Sequence, residues 1–129
     1  MSTVIEGLYY SSKHEWVKPE GDSSALIGIS DYAQHSLGDI VYLDLQEVGS
    51  DFQEDDSLGT IESVKAVEEL YAPLSGKIEA VNNAILETPE KVNQAPYECW
   101  LVRVSDFDTA SLEKLMDAAA YRAFLSDLE

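Results

Sequence analysis

Residues 58–70, with the sequence LGTIESVKAVEEL, decide between a helical and a β-rich fold. Apolar side chains recur here at helical spacing, and on a helix Lys65 would be placed for ion pairs with Glu62 and Glu69. The same residues also fit two short strands joined by a tight turn at residues 64–66. Periodicity alone slightly favours the helix, so both alternatives stay open for this stretch.

The flanking sequence has the patterns of short strands separated by turns. We predict strands at residues 8–18, 25–29, 39–45, 77–81 and 100–104. In the strand at 39–45, Ile40 and Tyr42 follow the alternation of one sheet face. We predict turns or loops at residues 19–22, 49–57, 73–76, 82–83 and 87–96, where Pro, Gly, Asn, Ser or acidic residues cluster.

Helical patterns occur in two places. Ser30 or Asp31 can cap a short helix that Gly38 would end. From Thr109 onward, apolar residues recur at spacings of three and four, which predicts a helix with a break expected near Asp117. Strands first and a helix last predict a mainly β fold, either a sandwich or a barrel with helical additions.

The composition excludes several classes of function. The chain has 129 residues, 8 basic and 25 acidic, and a formal net charge of −17. Such a surface argues against binding a nucleic-acid backbone or an anionic membrane. We find no membrane-length apolar stretch, signal peptide or transit peptide, so a cytoplasmic location is expected. The single cysteine, Cys99, excludes an intrachain disulfide and, with only two histidines, leaves a structural zinc site unsupported.

Lys65 is the only Lys or Arg among residues 19–76, which contain 13 acidic residues. As an ordinary surface cation it would make weak ion pairs. A Schiff-base lysine needs its amine deprotonated, whereas Glu62, Glu68 and Glu69 favour the charged ammonium. A lysine that another enzyme modifies has no such requirement, because that enzyme deprotonates the amine in its own active site. A plain surface lysine and a modified lysine are therefore the two interpretations.

An ordered set of motifs over nearly the whole chain resembles the glycine cleavage system H proteins. ESVKA at residues 62–66, followed by YAPLSGKIEAVN at residues 71–82, is similar to their lipoyl-attachment region. Further matches, in order, are HEW at 14–16, GISDYAQ at 28–34, LGDIV at 37–41, VN at 92–93, PY at 96–97 and AY at 120–121. The lipoyl domains of 2-oxoacid dehydrogenases commonly have Asp-Lys-Ala at this turn, and biotin carriers have Met-Lys-Met.

This resemblance implies a flattened sandwich of two antiparallel sheets with C-terminal helices, the barrel-sandwich hybrid of lipoyl and biotinyl domains. One lipoyl-carrier domain would span residues 1–129, with the sandwich at about 7–105 and the helical region at about 109–127. Residues 58–70 would then form strand, turn and strand, against the periodicity. Lys65 would lie at the tip of that turn.

The resemblance also implies a carrier component rather than an enzyme, with lipoic acid attached to Lys65 through an amide and Ser63, Val64 and Ala66 forming the turn around it. Glycine decarboxylase, a pyridoxal-phosphate enzyme, would load the aminomethyl group. The tetrahydrofolate-dependent aminomethyltransferase would remove the one-carbon unit, and dihydrolipoamide dehydrogenase would reoxidise the dithiol. Lipoylating enzymes are further expected partners, and a monomer is expected because the arm must be presented freely.

Members of this family hold the loaded arm in a cleft, and the matching positions here are Glu15 and Glu69, with His14 as a further candidate. A carboxylate suits a protonated aminomethyl nitrogen. Some relatives have Ser at the position of Lys13 and His at the position of Ser36, so the chain departs from the family pattern there. Simple solvation of the carboxylates, and a structural role for His14, are the alternative interpretations.

Three other interpretations compete with the glycine cleavage carrier. An H-like protein could serve mainly as a relay that donates lipoyl groups to other lipoyl domains. An enzyme using Lys65 with its neighbouring glutamates would turn over substrate alone, and an acidic binding module without a cofactor would not need Lys65. Cys99 is expected to be a packing residue rather than a redox partner of the lipoyl disulfide.

Overall fold

The computed structural model describes residues 2–21 and 23–128, and within them nine strands form two antiparallel sheets. The strands are β1 (Tyr9–Tyr10), β2 (Glu15–Pro19), β3 (Ser24–Ile29), β4 (Ile40–Leu45), β5 (Asp51–Phe52), β6 (Ser57–Ser63), β7 (Val67–Tyr71), β8 (Gly76–Val81) and β9 (Val102–Ser105). One sheet has the order β1-β2-β3-β9-β8-β5, and the other has the order β4-β6-β7. The predicted mainly β sandwich is confirmed, and the sheets do not close into a barrel.

Helical segments connect and cover the sheets. They are α1 (Asp31–Leu37), α2 (Asn83–Glu87), α3 (Lys91–Gln94), a 3-10 helix (Thr109–Lys114) and α4 (Ala118–Leu128). The predicted start and end of α1 are confirmed: the hydroxyl of Ser30 accepts the Ala33 N–H, and Gly38 follows the last turn with a φ of +81°.

Two hydrophobic clusters hold these layers together. The larger lies between the sheets and includes the fully buried Ile27, Ile61, Leu70 and Val102. The smaller cluster packs α4 against β1 and β2. In it, the ring of Tyr121 stacks on the ring of Tyr10, with 4.3 Å between the ring centroids. Burying these apolar surfaces is the main favourable term in folding.

The predicted strand at residues 8–18 is wrong in one respect, because a turn divides it into β1 and β2. These two strands pair with each other, Tyr10 opposite Trp16, and His14 in the turn has a φ of +74°. The turn sequence Ser-Ser-Lys-His lacks the Gly or Pro that marks most tight turns. Two short apolar runs therefore looked like one.

Several predicted loops contain short elements. The loop predicted at 49–57 includes β5, and the loop predicted at 87–96 includes α3. The helix α2 lies mostly between the turn predicted at 82–83 and that loop, where no element was predicted. Elements of two to five residues are too short for periodicity to reveal. The strand predicted at 100–104 is observed as β9.

The predicted C-terminal helix begins as a 3-10 helix, and the expected break near Asp117 is confirmed. The break arises because Met116 pairs with Tyr10 through two backbone hydrogen bonds, of 2.7 and 2.8 Å. Asp117 then caps α4 by accepting the Ala120 N–H at 2.8 Å.

The alternation predicted for residues 39–45 is also interrupted. A β-bulge lies between Ile40 and Tyr42, so that Ile40 is buried whereas Val41 and Tyr42 are both exposed. Leu43 is buried again. The bulge therefore turns two consecutive apolar side chains outward, close to the end of the β6–β7 hairpin.

Candidate functional site

Residues 58–70 form the β6–β7 hairpin, with a turn at residues 63–66, as the resemblance implied and against the periodicity. The Ser63 N–H donates to the Ala66 carbonyl at 2.8 Å. The Ser63 hydroxyl accepts the N–H groups of Lys65 and Ala66, at 3.3 and 3.1 Å. This buried serine closes the turn, and the Lys65 and Val64 side chains project from it into solvent.

The turn rests on the loop that joins α1 to β4. The Val64 N–H donates to the Asp39 carbonyl at 3.0 Å. A Cβ placed on Gly38 would lie 3.4 Å from the Cε of Lys65, so the lysine stem runs directly over this glycine. The positive φ of Gly38 and the close stem both favour glycine here.

Asn93, in α3, fixes that loop from below. Its Oδ1 accepts the Ile40 N–H at 2.9 Å, and its Nδ2 donates to the carbonyl of Gly38 at 2.8 Å and to the Oε1 of Gln34 at 3.0 Å. These contacts hold the residues on both sides of Asp39, the residue that binds the turn. The hairpin tip is therefore supported by a side chain far away in sequence.

A cleft of about 400 Å³ runs from the turn along the free edge of β7, between that strand, α1 and the β1–β2 turn. Its lining includes all three predicted cleft residues, His14, Glu15 and Glu69, together with Ala66 of the lysine turn. Apolar lining residues between these ends are Ile29, Ala33, Leu37, Ile61 and Leu70. The cleft thus has an apolar middle and a carboxylate at the end away from Lys65.

Glu15 provides that carboxylate and is only 3 % exposed. Burial raises its pKa to about 7, although the Ser11 hydroxyl, the Tyr71 backbone and the charge of Lys13 act in the opposite direction. The Ser11 hydroxyl donates to Oε1, and it accepts the backbone N–H of Glu15 at 3.1 Å. A buried carboxyl with its pKa near neutrality is a feature of functional sites.

His14 is both a structural residue and part of the cleft wall. Its Nδ1 is 2.8 Å from the Tyr121 hydroxyl, which in turn is 2.7 Å from the Ser30 hydroxyl. Burial lowers the His14 pKa, which favours the neutral ring. Two interpretations of His14 therefore agree with its position: its Nδ1 has a hydrogen-bond partner on α4, and its side chain lines the cleft.

Glu69 both lines the cleft and is exposed to solvent. Its carboxylate accepts a hydrogen bond from the Ser57 hydroxyl on β6, and its residue is exposed at the rim of the cleft. Glu68 pairs with Ile61 and shares a pleat face with the buried Leu70. In a strand, residues 68 and 70 point to the same face, so the apolar Leu70 was the sequence signal that would have added Glu68 to the cleft candidates.

Lys13 closes the cleft beyond Glu15. Its Nζ is 3.6 Å from the Asp55 carboxylate and 4.0 Å from the centre of the Tyr71 ring. Lys13 and Glu15 also line a second cavity of about 320 Å³ on the side of Asp55. In the sequence, Lys13 stands out only as a departure from the family pattern. Its contacts with Asp55 and Tyr71 have no sequence signal.

The remaining site expectations concern Cys99, metals and membranes. Cys99 is buried, its thiol lies 3.5 Å from the Lys91 carbonyl, and burial raises the pKa of the thiol, as expected for a packing residue.

Among residues 2–21 and 23–128, no group of three or more His, Cys, Asp or Glu side chains is placed to hold a metal ion. None of the helices in those ranges is long and apolar enough to cross a membrane.

Comparison with known proteins gives a consistent result. A family model described as glycine cleavage H-protein matches residues 8–128. The chain belongs to the glycine cleavage H-protein family. As a member, it is a carrier component of the glycine cleavage system rather than an enzyme.

Individual relatives agree with this membership. The chain is 54 % identical over 124 residues to the glycine cleavage system H protein of Thermoanaerobacter pseudethanolicus, covering 96 % of this chain and 98 % of the relative. It is 48 % identical to that of Leptospira biflexa, covering 96 % and 95 %. The crystal structure of a glycine cleavage system H protein from Mycobacterium marinum matches with a TM-score of 0.84 at 31 % identity, covering 95 % of this chain and 99 % of that one.

Proposed function

We propose that this chain is the lipoyl carrier of a glycine cleavage system and that Lys65 is the residue that carries lipoic acid. The observation that carries the proposal is the position of Lys65, exposed in a turn that Ser63 closes and Asp39 supports. A modifying enzyme must enclose the amine, and a rigid hairpin tip presents it without unfolding of the carrier.

The residues of the cleft fit a lipoylated lysine. Ala66 belongs to both the turn and the cleft, so the cleft opens beside the modified residue. Its apolar middle suits the methylene chain of the arm, and its far end holds Glu15. Lipoic acid supplies a dithiolane whose reduced form can carry a one-carbon amine between enzymes.

The protein residues would retain and protect that cargo. Leu37, Ile61 and Leu70 exclude water from the cleft wall, and Glu15 can accept a hydrogen bond from a protonated amine. An ammonium beside Glu15 would lower its pKa from about 7 and favour the carboxylate. With a pKa of about 7, Glu15 would be partly protonated near neutral pH when the cleft is empty and would release that proton when the amine is present.

The proposed partners are those that the family resemblance implies: glycine decarboxylase, the aminomethyltransferase, dihydrolipoamide dehydrogenase and the lipoylating enzymes. The net charge of −17 supports brief encounters with several partners, because long-range attraction to basic surfaces accelerates association without requiring tight binding. A monomeric single-domain carrier acting in the cytoplasm is part of the same proposal.

The proposal is tested by intact-mass spectrometry after co-expression with a lipoate ligase and lipoate. The wild-type chain should gain the mass of one lipoyl group, and Lys65→Arg should gain none while keeping its melting temperature. Lys77→Arg, a lysine on β8, is the matched control and should be lipoylated like the wild type. Failure of the wild type, with the ligase active on another lipoyl domain, would contradict the assignment.

A further inference from the structure

The surface around Lys65 is unusually apolar for a carrier this acidic. Of the seven large apolar side chains that are strongly exposed in residues 2–21 and 23–128, four surround the lysine turn. They are Val41, Tyr42, Val64 and Val67, each between 48 and 70 % exposed, and we call them the tip patch. Exposed apolar residues are common singly, but a cluster indicates a contact surface.

The strand register assembles this patch on one sheet face. Tyr42 pairs with Glu62 and Glu62 pairs with Val67, so the three lie side by side across β4, β6 and β7. The β4 bulge adds Val41, because it leaves two successive residues exposed where regular alternation would bury one. The patch is therefore built by backbone geometry as well as by sequence.

Acidic residues border the patch. The next cross-strand row on the same face is Asp44, Thr60 and Glu69, and Glu62 lies within the apolar row itself. The carboxylates of Asp44, Glu62 and Glu69 are all exposed. A complementary surface would thus have an apolar recess with a basic border.

We propose that the tip patch is the docking surface for the enzyme that lipoylates Lys65, an inference that rests on the proposed function. Before modification the amine lies only one lysine side chain away from the turn. An enzyme that draws this amine into its active site must therefore contact the residues beside the turn. Partners that act on the finished arm meet it farther from the protein, so they have less need of this surface.

The test compares lipoylation kinetics of Tyr42→Thr/Val67→Thr with those of Val48→Thr. Threonine is β-branched and suits strands, and all three replaced side chains are exposed, so each variant should retain the wild-type melting temperature. Val48 is 61 % exposed but lies beyond the opposite end of β4 from the lysine turn. Initial rates are measured with a lipoate ligase, ATP and lipoate while the carrier concentration is varied.

The double variant should raise the KM for the carrier about tenfold with kcat unchanged, as expected when apolar anchors of an interface are truncated. Val48→Thr should match the wild type. An unchanged kcat/KM in the double variant would overturn the docking assignment but leave the proposed function intact. A fall in kcat at constant KM would do the same, because it indicates a distorted turn. If a competent ligase fails to modify the wild-type chain, both the docking assignment and the proposed function are overturned.

The lipoylated double variant is also assayed with glycine decarboxylase. Wild-type kinetics in this assay support the assignment to the lipoylating enzyme. If instead this assay alone is impaired, while lipoylation is normal, the patch serves the decarboxylase and the inference is wrong.

Discussion

Two turns of this molecule use the same local device and reach opposite environments. In the β6–β7 turn, the Ser63 hydroxyl accepts the N–H groups of residues two and three positions later. In the β1–β2 turn, the Ser11 hydroxyl accepts the N–H groups of Lys13 and Glu15, at 3.3 and 3.1 Å. The first turn displays Lys65 in solvent, whereas the second leads into the buried Glu15.

What packs over each turn makes the difference. His14 of the β1–β2 turn is hydrogen-bonded to Tyr121 of α4. Its ring lies 4.5 Å from the ring of Tyr32 in α1 and 5.8 Å from the ring of Phe124 in α4. These helices cover the β1–β2 turn. The lysine turn is supported from below by the α1–β4 loop but is open above. Local hydrogen bonding therefore shapes a turn, and tertiary packing decides whether it is exposed.

The largest expected effect concerns the support beneath the exposed turn. Asn93→Ala removes three hydrogen bonds and leaves the Ile40 N–H and the Gly38 carbonyl without them. Leaving partly buried groups of this kind unsatisfied costs about 1–3 kcal/mol each, so we expect a loss of about 3 kcal/mol in the free energy of unfolding. Urea denaturation measures it, and Asn83→Ala, an exposed residue of α2, should change it little. Equal stability of both variants would show that the exposed turn needs no support.

The next effect concerns the pH dependence of the covered turn. Since the Glu15 pKa is about 7 in the folded chain against an ordinary value of 4.5, the unfolded chain loses this proton first as the pH rises. Glu15 therefore lowers stability progressively between pH 4.5 and 7, by up to about 3 kcal/mol, and the cost stays constant above pH 7.

Glu15→Gln should remove this decline, so that the variant gains stability relative to the wild type at pH 8 and differs little at pH 4.5. Unfolding free energies measured across this range provide the test. Glu68→Gln, an exposed carboxylate of the same cleft, should keep the wild-type profile. An equally steep profile in Glu15→Gln would mean that another group carries the pH dependence.

Truncating the two serines compares the turns directly. Ser63→Ala loses the hydrogen bonds that close the lysine turn, which should cost about 1 kcal/mol. Ser11→Ala also removes the hydroxyl that donates to the buried carboxyl of Glu15, so we expect a cost of about 2 kcal/mol at pH 8. At pH 4.5, where Glu15 is protonated, the difference between the variants should shrink. A constant difference would separate Ser11 from the charge of Glu15.

The smallest expected effect concerns Lys13. Its positive charge lowers the Glu15 pKa, so Lys13→Met should raise that pKa further, by less than burial does. The carboxyl carbon resonance of Glu15, followed by NMR during a pH titration, measures the shift. Lys18→Met on β2 is the matched control. A fall in the Glu15 pKa would show that Lys13 acts by excluding water rather than by its charge.

Much of the fold and part of the candidate site could be predicted from the sequence. The short strands, the capped α1 and the break near Asp117 follow from local patterns, and the resemblance correctly replaced a helix by strand, turn and strand at residues 58–70. The β1–β2 turn, the β4 bulge and the Asn93 contacts were not predicted. The β1–β2 turn lacks the Gly or Pro that marks most tight turns. The bulge and the Asn93 contacts depend on partners distant in sequence, and periodicity does not record such pairing.

The sequence by itself determined a mainly β chain, its acidic character and the solitary Lys65 within an acidic stretch, because composition and local patterning are properties of neighbouring residues. Only the tertiary structure decided that Glu15 is buried, that the cleft joins the lysine turn to that carboxylate, and that Val41 and Tyr42 both face solvent. The physical reason is that burial and solvent exposure depend on which elements pack together. Those packing partners set the pKa of Glu15 and leave the lysine turn open.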